Sequence, residues 1–235
     1  MKTLLIMKNN KKISVIMSVY NSEDSVDDSI TSILDQTYQD LELLIMDDAS
    51  TDNTYKICEN LKNKDQRIRL YKNKSNLGLT KSLNKLISLS EGEIIARQDS
   101  DDVSKKERIE KQLKFLEENN LDACTSRAKI MHSQKITPRF SFLFPKKIVI
   151  RYKNPFIHGT LFIKKNVLID NNCYDERFIY SQDYKLMSDL IKKNKRIMIL
   201  NENLYSLNMK NNISALKTEE QNYYAKCVRK NISPI

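Results

Sequence analysis

Short, unbroken apolar runs recur at regular intervals through the first half of the chain. "ISVIMSV" (13–19) and "LELLIMD" (41–47) have the length of strands buried on both faces, and "IRLYK" (68–72) and "EIIARQ" (93–98) are weaker versions of the same pattern. Between them, "SEDSVDDSITSILDQ", "TDNTYKICENLKNK" and "LTKSLNKLISLSEG" place apolar residues at helical spacing. Ser22 and Thr51 are expected as N-caps there and Gly92 as a C-terminal stop. Strand and helix alternating in short succession imply right-handed crossovers, hence an α/β fold with a mostly parallel central sheet flanked by helices. "KKERIEKQLKFLEENN" (105–120) predicts a further helix with Ile109, Leu113 and Leu116 on its inner face.

The second half is less regular. "SRAKIMHS", "GTLFIKK" and "RIMIL" read as strands, "DYKLMSDLIKKN" as a helix and "EEQNYYAKCVRKNI" as a closing amphipathic helix. No repeat or Pro/Gly/Ser-rich linker divides the chain, so one domain over residues 1–235 is expected. In the last helix, about 216–232, Leu216, Tyr223, Tyr224, Cys227 and Ile232 can share an apolar side flanked by lysines. That side would dock on the domain or lie on an anionic membrane.

Composition narrows the class of protein. A chain of 235 residues that is 40% hydrophobic can bury one sizeable core, and no run of ~18 apolar residues offers a membrane-spanning helix. "MKTLLIMKNNKK" has too short an apolar stretch for a signal peptide and no small-residue cleavage site. Cys58, Cys124, Cys173 and Cys227 lie far apart with no C-x-x-C pair, which argues for reduced thiols and suggests the cytosol. The net charge of +10 attracts polyanions of every kind and does not choose among nucleic acid, nucleotide phosphates and an anionic leaflet. The Asn/Lys-rich wording fits genomic base bias equally well.

The candidate chemistry lies at strand ends. Ligands of an open α/β sheet bind beyond the carboxyl ends of its strands, and "SVYNS", "DDAST" and "DSDD" follow the first, second and fourth predicted strands. In "RQDSDD" (97–102), Asp99, Asp101 and Asp102 raise one another's pKa unless a cation or open water takes up the charge. The only glycines are Gly78, Gly92 and Gly159, so neither G-x-G-x-x-G nor a P-loop is available to cradle phosphates. A hard divalent cation, held by one or two carboxylates and completing its shell with phosphate oxygens, is the usual alternative. It would account for the crowding; a solvated acidic turn is the plainer reading.

"ISVIMSVYNSEDSVDDSITSILDQTYQDLELLIMDDASTDNT", "NLGLTKSLNKLI", "GEIIARQDSDD" with "RIEKQ", "NPFIHGTLFIKK" and "YDERFIYSQDYKLM" together resemble the family 2 glycosyltransferases, in the family's order, over about residues 12 to 190. The resemblance implies the GT-A fold, with a nucleotide-sugar-binding half over about 12–103 and an acceptor and catalytic half over about 104–215. It also implies inverting transfer of one sugar from a nucleotide-sugar, usually a UDP-sugar, with Mn²⁺ or Mg²⁺ at a D-x-D motif. On this sequence it puts Val19, Tyr20 and Asn21 at the donor, with Tyr20 against the base. Asp48 falls at the base's hydrogen-bonding edge with Asp47 close by, and Asn76, Gly78 and Arg97 line the donor pocket. Asp99 and Ser100 meet the ribose or sugar, Asp101 ligates the metal with Asp99 and His158 as further ligands, Asp102 gives support, and Asp183 is the catalytic base. The acceptor would be a saccharide or lipid-linked saccharide in bacterial lipopolysaccharide or capsule assembly. The setting would be cytoplasmic, with the inner face of the membrane as a peripheral partner and no nucleic acid.

The chain departs from the family at two places: Gln182 precedes Asp183 where Glu is common, and "VSKKER" lacks the usual proline. No Q-x-x-R-W follows, which argues against a processive synthase. Each residue also has a structural alternative. Tyr20 can cover the sheet's end, Asp47 can cap the next helix, His158 can be a hydrogen-bonded core histidine, and Asp183 can be a helix-terminus charge. Two other functional classes remain: a nucleotidyltransferase, which usually brings the glycine-rich loop missing here, and a non-catalytic nucleotide-sugar-binding or scaffolding protein.

Overall fold

The computed structural model describes residues 11–209 and 217–234; Leu216 and most of the "MKTLLIMKNNKK" stretch lie outside the described residues. Strands β1 (Ile13–Val19), β2 (Leu41–Asp47) and β3 (Ile68–Lys72) coincide with the predicted runs, and β4 (Ile94–Arg97) with the centre of the fourth. β1, β2 and β4 are buried almost along their whole length because two cores press on the sheet, whereas the edge strand β3 is buried only at Ile68. Val15, Met17 and Val19 face one core with α1 (Val26–Leu34), α2 (Thr54–Lys62) and α4 (Arg108–Glu118). Ile16, Leu44 and Met46 face the other, with α3 (Leu79–Leu89), α6 (Lys165–Asp170) and α7 (Gln182–Lys192); the one-turn α5 (Lys146–Val149) precedes α6.

The remaining strands are β5 (Val103–Ser104), β6 (Ala123–Ile130), β7 (Ile136–Thr137), β8 (Phe162–Lys164) and β9 (Ile197–Leu207), and the sheet order is β3-β2-β1-β4-β8-β6-β9-β5, with β7 on β6. Most of the ladder is parallel, as expected: β3-β2-β1-β4 and β6-β9 run parallel, while β8 is antiparallel to both β4 and β6. Inserting β8 beside β4 has a functional consequence. It carries the 3₁₀ turn His158–Thr160 to the carboxyl end of β4, where the Arg97 N–H donates to Leu161 O at 2.8 Å.

Three local expectations are corrected. Neither Ser22 nor Thr51 caps a helix: α1 and α2 begin after Ser25 and Asn53, and it is Asp52 Oδ1 that accepts the Thr54 N–H, at 3.0 Å. Gly92 is no helix stop. It lies where a Cβ would fall 2.6 Å from Lys12 O and Ser14 N, so it permits close approach to β1. The last helix, α8 (Thr218–Lys230), docks on the protein: Cys227 and Val228 are buried, Tyr224 sits edge-on to Phe178 at 6.0 Å, and Gln221 O accepts the Ser181 hydroxyl at 3.2 Å.

Candidate active site

The loops after β1, β2 and β4 meet at the carboxyl end of the parallel strands. Asn21, in the left-handed region at φ 46, ties the first two together: its Oδ1 accepts the Thr51 N–H at 2.9 Å and its N–H donates to Ser50 Oγ at 3.1 Å. The third hangs on serines near the start of α1. Ser22 Oγ and Ser100 Oγ lie 2.9 Å apart, Ser25 Oγ donates to Ser100 O at 3.0 Å, and Ser29 Oγ donates to Asp99 O at 2.6 Å. Tyr20 is 47% exposed, its ring open at the rim.

Asp48 shapes the next loop. Its Oδ1 accepts from Asn73 Nδ2 at 2.7 Å and from the Leu77 N–H at 2.9 Å, and its Oδ2 accepts from the Gly78 N–H at 2.8 Å. A carboxylate has about four acceptor positions, so about one is left for a ligand. Asn76 is exposed beside it, and Gly78, at φ +85, holds a conformation that L side chains rarely adopt. Two expected donor contacts are not placed to serve. Asp47 is wholly buried, with Oδ2 accepting the Ser50 N–H at 3.3 Å and lying 3.8 Å from Lys72 Nζ, so it holds the "DDAST" turn. Val19 is buried in a core and its carbonyl accepts the Asp48 N–H at 2.9 Å.

The three clustered carboxylates have three fates. Arg97, buried, grips both oxygens of Asp99: Nη1 donates to Oδ2 at 2.5 Å and Nη2 donates to Oδ1. Asp102 turns inward, where its Oδ1 accepts the Asn208 N–H at 2.6 Å and the carboxylate also takes the Tyr205 hydroxyl; burial, then the charges of Asp99 and Asp101, push its pKa up. Asp101 has no side-chain partner among the described residues, and burial followed by the Asp99 charge pushes it up to about 6. An anion so disfavoured and so little compensated fits a cation ligand. The expected trio of Asp99, Asp101 and His158 is nevertheless not assembled, and no three His, Cys, Asp or Glu side chains converge on a metal position among the described residues. Asp99 is committed to Arg97. His158 Nε2 shares a 2.8 Å hydrogen bond with the Tyr174 hydroxyl, and burial, then the Arg97 charge, hold its pKa well below the usual histidine value. That nitrogen is engaged by Tyr174 and not turned to Asp101.

Asp183 opens α7 and lines one small cavity with His158, Asn154 and Thr125. Its Oδ2 accepts from Asn154 Nδ2 at 2.8 Å, yet burial outweighs that bond, the Tyr184 N–H and the Arg97 charge, and its pKa is raised. Gly159, the neighbour of the cavity's His158, packs against Asp99 Oδ2, and the Arg97 charge acts on both His158 and Asp183.

Several residues of this site carried no assigned role in the sequence. Arg108 and Gln112, wholly buried on α4, clamp the 3₁₀ turn: Arg108 Nη1 donates to Arg97 O at 3.0 Å and Gly159 O at 3.2 Å, and Gln112 Nε2 donates to Thr160 O at 2.8 Å. Tyr205 accepts the Asp99 N–H at 3.1 Å. The signal available for the first two was their spacing: polar residues four apart, on the helix face the apolar pattern turns inward.

The sheet order and its flanking helices are those of a GT-A fold. Residues 14–189 match the family described as glycosyl transferase family 2, and the chain belongs to that family. Among its relatives are an uncharacterized glycosyltransferase of Haemophilus influenzae, 32% identical over 78% of this chain and 61% of that one, and the putative glycosyltransferase EpsE of Bacillus subtilis, 37% identical over 67% and 58%. The chain thus spans about three fifths of their length. The Escherichia coli UDP-Glc:alpha-D-GlcNAc-diphosphoundecaprenol beta-1,3-glucosyltransferase WfgD is 32% identical over 77% of this chain and 70% of its own. S. aureus TarS, in a crystal structure with UDP-GlcNAc, superposes with a TM-score of 0.74 at 25% identity, covering 86% of this chain and 59% of that one. The mannosyltransferase PcManGT of Pyrobaculum calidifontis shares the fold at a TM-score of 0.76, with 17% identity over 97% of this chain and 67% of its own.

Proposed function

We propose that this protein transfers one sugar, with inversion, from a UDP-sugar to a lipid-linked or free saccharide during assembly of a bacterial surface polysaccharide. The observation that carries the reading is Asp183, a half-buried carboxyl with a raised pKa, in a cavity it lines with His158, whose neighbour Gly159 packs against Asp99. Inversion requires the acceptor hydroxyl to attack opposite the leaving diphosphate, and a neutral hydroxyl needs a base as the bond forms. A carboxyl whose pKa burial has raised is a better proton acceptor than an ordinary one, and the Asn154 amide engages Oδ2. On the donor side, Tyr20 offers a ring for the base, Asp48 a remaining acceptor position, and Asn76 and Gly78 a loop edge. Asp101 is the residue that would hold a divalent cation, through one carboxylate and the donor's own phosphate oxygens. When bound, such a cation neutralises charge developing on the leaving diphosphate.

The UDP-sugar choice is supported by the names of WfgD and of the TarS complex, and the polysaccharide setting by WfgD and by the E. coli O-antigen biosynthesis glycosyltransferase WbnJ, 35% identical over 74% of this chain. The enzyme would work at the cytoplasmic face of the membrane. The test is UDP release from a panel of UDP-sugars, with Mn²⁺ or Mg²⁺ and candidate acceptors, for the wild type and Asp183→Asn. General-base catalysis is worth ~10²–10⁴-fold, so the variant should lose about that much turnover with donor affinity near wild type. Wild-type turnover in Asp183→Asn would remove it as the base. Donor binding without turnover in the wild type would favour a non-catalytic binding protein, the reading that Gln182 in place of Glu keeps open.

A further inference from the structure

Residues 139–152 combine two features that a solvated surface does not need. No acidic residue lies between Asp122 and Asp170, while Lys135, Arg139, Lys147, Arg151 and Lys153 recur through the middle of that interval. Within it, Phe140, Leu143, Phe144, Ile148 and Tyr152 are 56% to 74% exposed. Scattered apolar residues on a surface are ordinary; five large ones in one short cationic stretch mark a contact surface.

The backbone of this stretch is held in place beneath them. The Leu143 N–H donates to Phe140 O at 3.0 Å, Lys146 Nζ to Phe144 O at 3.0 Å, Arg127 Nε to Pro138 O at 3.2 Å, and the Tyr184 hydroxyl to Ile150 O at 2.6 Å. Phe142 packs under the Arg127 guanidinium at 4.7 Å, while Leu143 and Phe144, next in the chain, reach solvent. α8, the sequence's candidate for membrane contact, has instead turned Cys227 and Val228 into the protein.

We infer that residues 139–152 are a docking surface for an anionic lipid bilayer. The apolar side chains enter the headgroup region and the flanking cations meet acidic headgroups, with the lysine and arginine stems lying along the apolar layer. Charge complementarity selects this occupant. A second copy of the same face would bring like charges together, and a nucleic acid, which could stack on Phe140, Phe144 and Tyr152, would leave the aliphatic Leu143 and Ile148 in water. The placement also serves the site. A groove of about 420 Å³ bounded by Arg139, Phe140 and Lys153 shares Asn154, Phe156 and Ile157 with the cavity of Asp183, so an acceptor anchored in that bilayer has a short approach to the base. The bilayer contact itself does not depend on the glycosyl-transfer reading.

The experiment is co-sedimentation of the full chain with phosphatidylcholine vesicles and with vesicles containing one third phosphatidylglycerol, at low and high salt, for the wild type, Leu143→Ser/Phe144→Ser and Lys147→Gln/Arg151→Gln. The wild type should bind the anionic vesicles and be weakened by salt. Two surface cations removed should weaken binding about thirtyfold, and the apolar pair should lose about tenfold or more. Circular dichroism and thermal melts identify any variant that fails to fold, and the other then carries the test. Equal binding to both vesicle types, or wild-type binding by a folded apolar variant, overturns the inference; the latter would mean a generic polyanion patch. So would a concentration-dependent dimer in sedimentation velocity that Leu143→Ser/Phe144→Ser dissolves while vesicles go unbound. UDP calorimetry on the same samples separates the two readings, since vesicle binding needs no donor.

Discussion

Gly159 is the point at which the second half of the chain presses closest on the acidic cluster, and Gly159→Ala tests whether that closeness is needed. A Cβ at this position would lie 2.7 Å from Asp99 Oδ2, 2.8 Å from Tyr205 Cζ and nearer still to the Tyr205 hydroxyl. Neither neighbour has room to retreat. Tyr205 is fully buried and holds the Asp99 N–H at 3.1 Å, and Asp99 is bound on both oxygens by Arg97. Nor can the turn lift away easily, because Gly159 O accepts from Arg108 Nη1 at 3.2 Å. Overpacking a site of this kind costs about 1–3 kcal/mol, and displacing a charge-paired carboxylate puts this case at the upper end. In a 235-residue chain each kcal/mol lowers Tm by about 2–4 °C, so a drop of about 4–10 °C is expected. Asp99 must shift with it, so UDP affinity by calorimetry should fall in parallel. Tyr205→Phe removes the nearest atom, and the double variant should be more stable than the sum of the two single changes predicts. A Gly159→Ala protein that melts within about 1 °C of wild type and binds UDP as tightly would refute the reasoning.

Arg97→Met should cost about 3–5 kcal/mol at pH 8, because it leaves Asp99, Asp101 and Asp102 together without their buried cation. The loss should shrink at pH 5, where Asp101, titrating at about 6, has taken up its proton; thermal melts in chelator showing equal losses at both pH values would contradict this. On the proposed role of Asp183 as base, which requires its ionised form, the raised pKa should put the acid limb of kcat/KM above the ordinary carboxylate range, and Asn154→Ala, which removes a bond favouring the ionised form, should move it higher still. An unmoved limb in the pH profile would detach Asn154 from the base. By linkage, the folded chain holds a proton on Asp183 in a pH interval where the unfolded chain has lost it, so stability falls as pH rises through that interval. Asp183→Asn should therefore melt no lower than wild type at pH 8, and a lower Tm there would count against the raised pKa. Ser29→Ala should destabilise by about 1–2 kcal/mol in denaturant titration, since it leaves Asp99 O without its 2.6 Å donor; an unchanged midpoint would show that the loop is held elsewhere.

What the sequence made legible was whatever depends on neighbours along the chain. β1, β2 and β4 could be bounded from their apolar runs because both faces are buried, and the crowding of Asp99, Asp101 and Asp102 is itself a local fact. What each carboxylate does was not legible, since the deciding partners, Tyr205 and Asn208 for Asp102 and Asn154 for Asp183, arrive from distant segments. Ser22 looked like a cap because serine at a helix start usually is one; here its hydroxyl is spent on Ser100. The inner face of α4 was read from Ile109, Leu113 and Leu116, but Leu113 is only half-buried while Arg108 and Gln112 are wholly buried. Periodicity scores a polar residue as outward and has no means of knowing that two carbonyls of a distant turn await it. β9 runs eleven residues where "RIMIL" marked only its start, because its partner β6 changes register between Ser126 and Ala128 and the apolar period breaks with it.

Residues 139–152 fail in the opposite sense, and for a reason that bears on function. A pattern-based reading assumes that an apolar side chain points toward the protein's own core, an assumption that holds wherever water is the only other solvent. Phe140, Leu143, Phe144, Ile148 and Tyr152 recur at a helical spacing of three and four residues, yet only Lys146–Val149 is helical and the structure leaves all five outward. A stretch chosen for folding alone would have replaced them with polar residues, since the turns and hydrogen bonds that hold it are made by backbone atoms and by Arg127, Lys146 and Tyr184. The misfit between pattern and fold therefore falls where a second, apolar solvent would meet the chain, beside the groove that leads to Asp183.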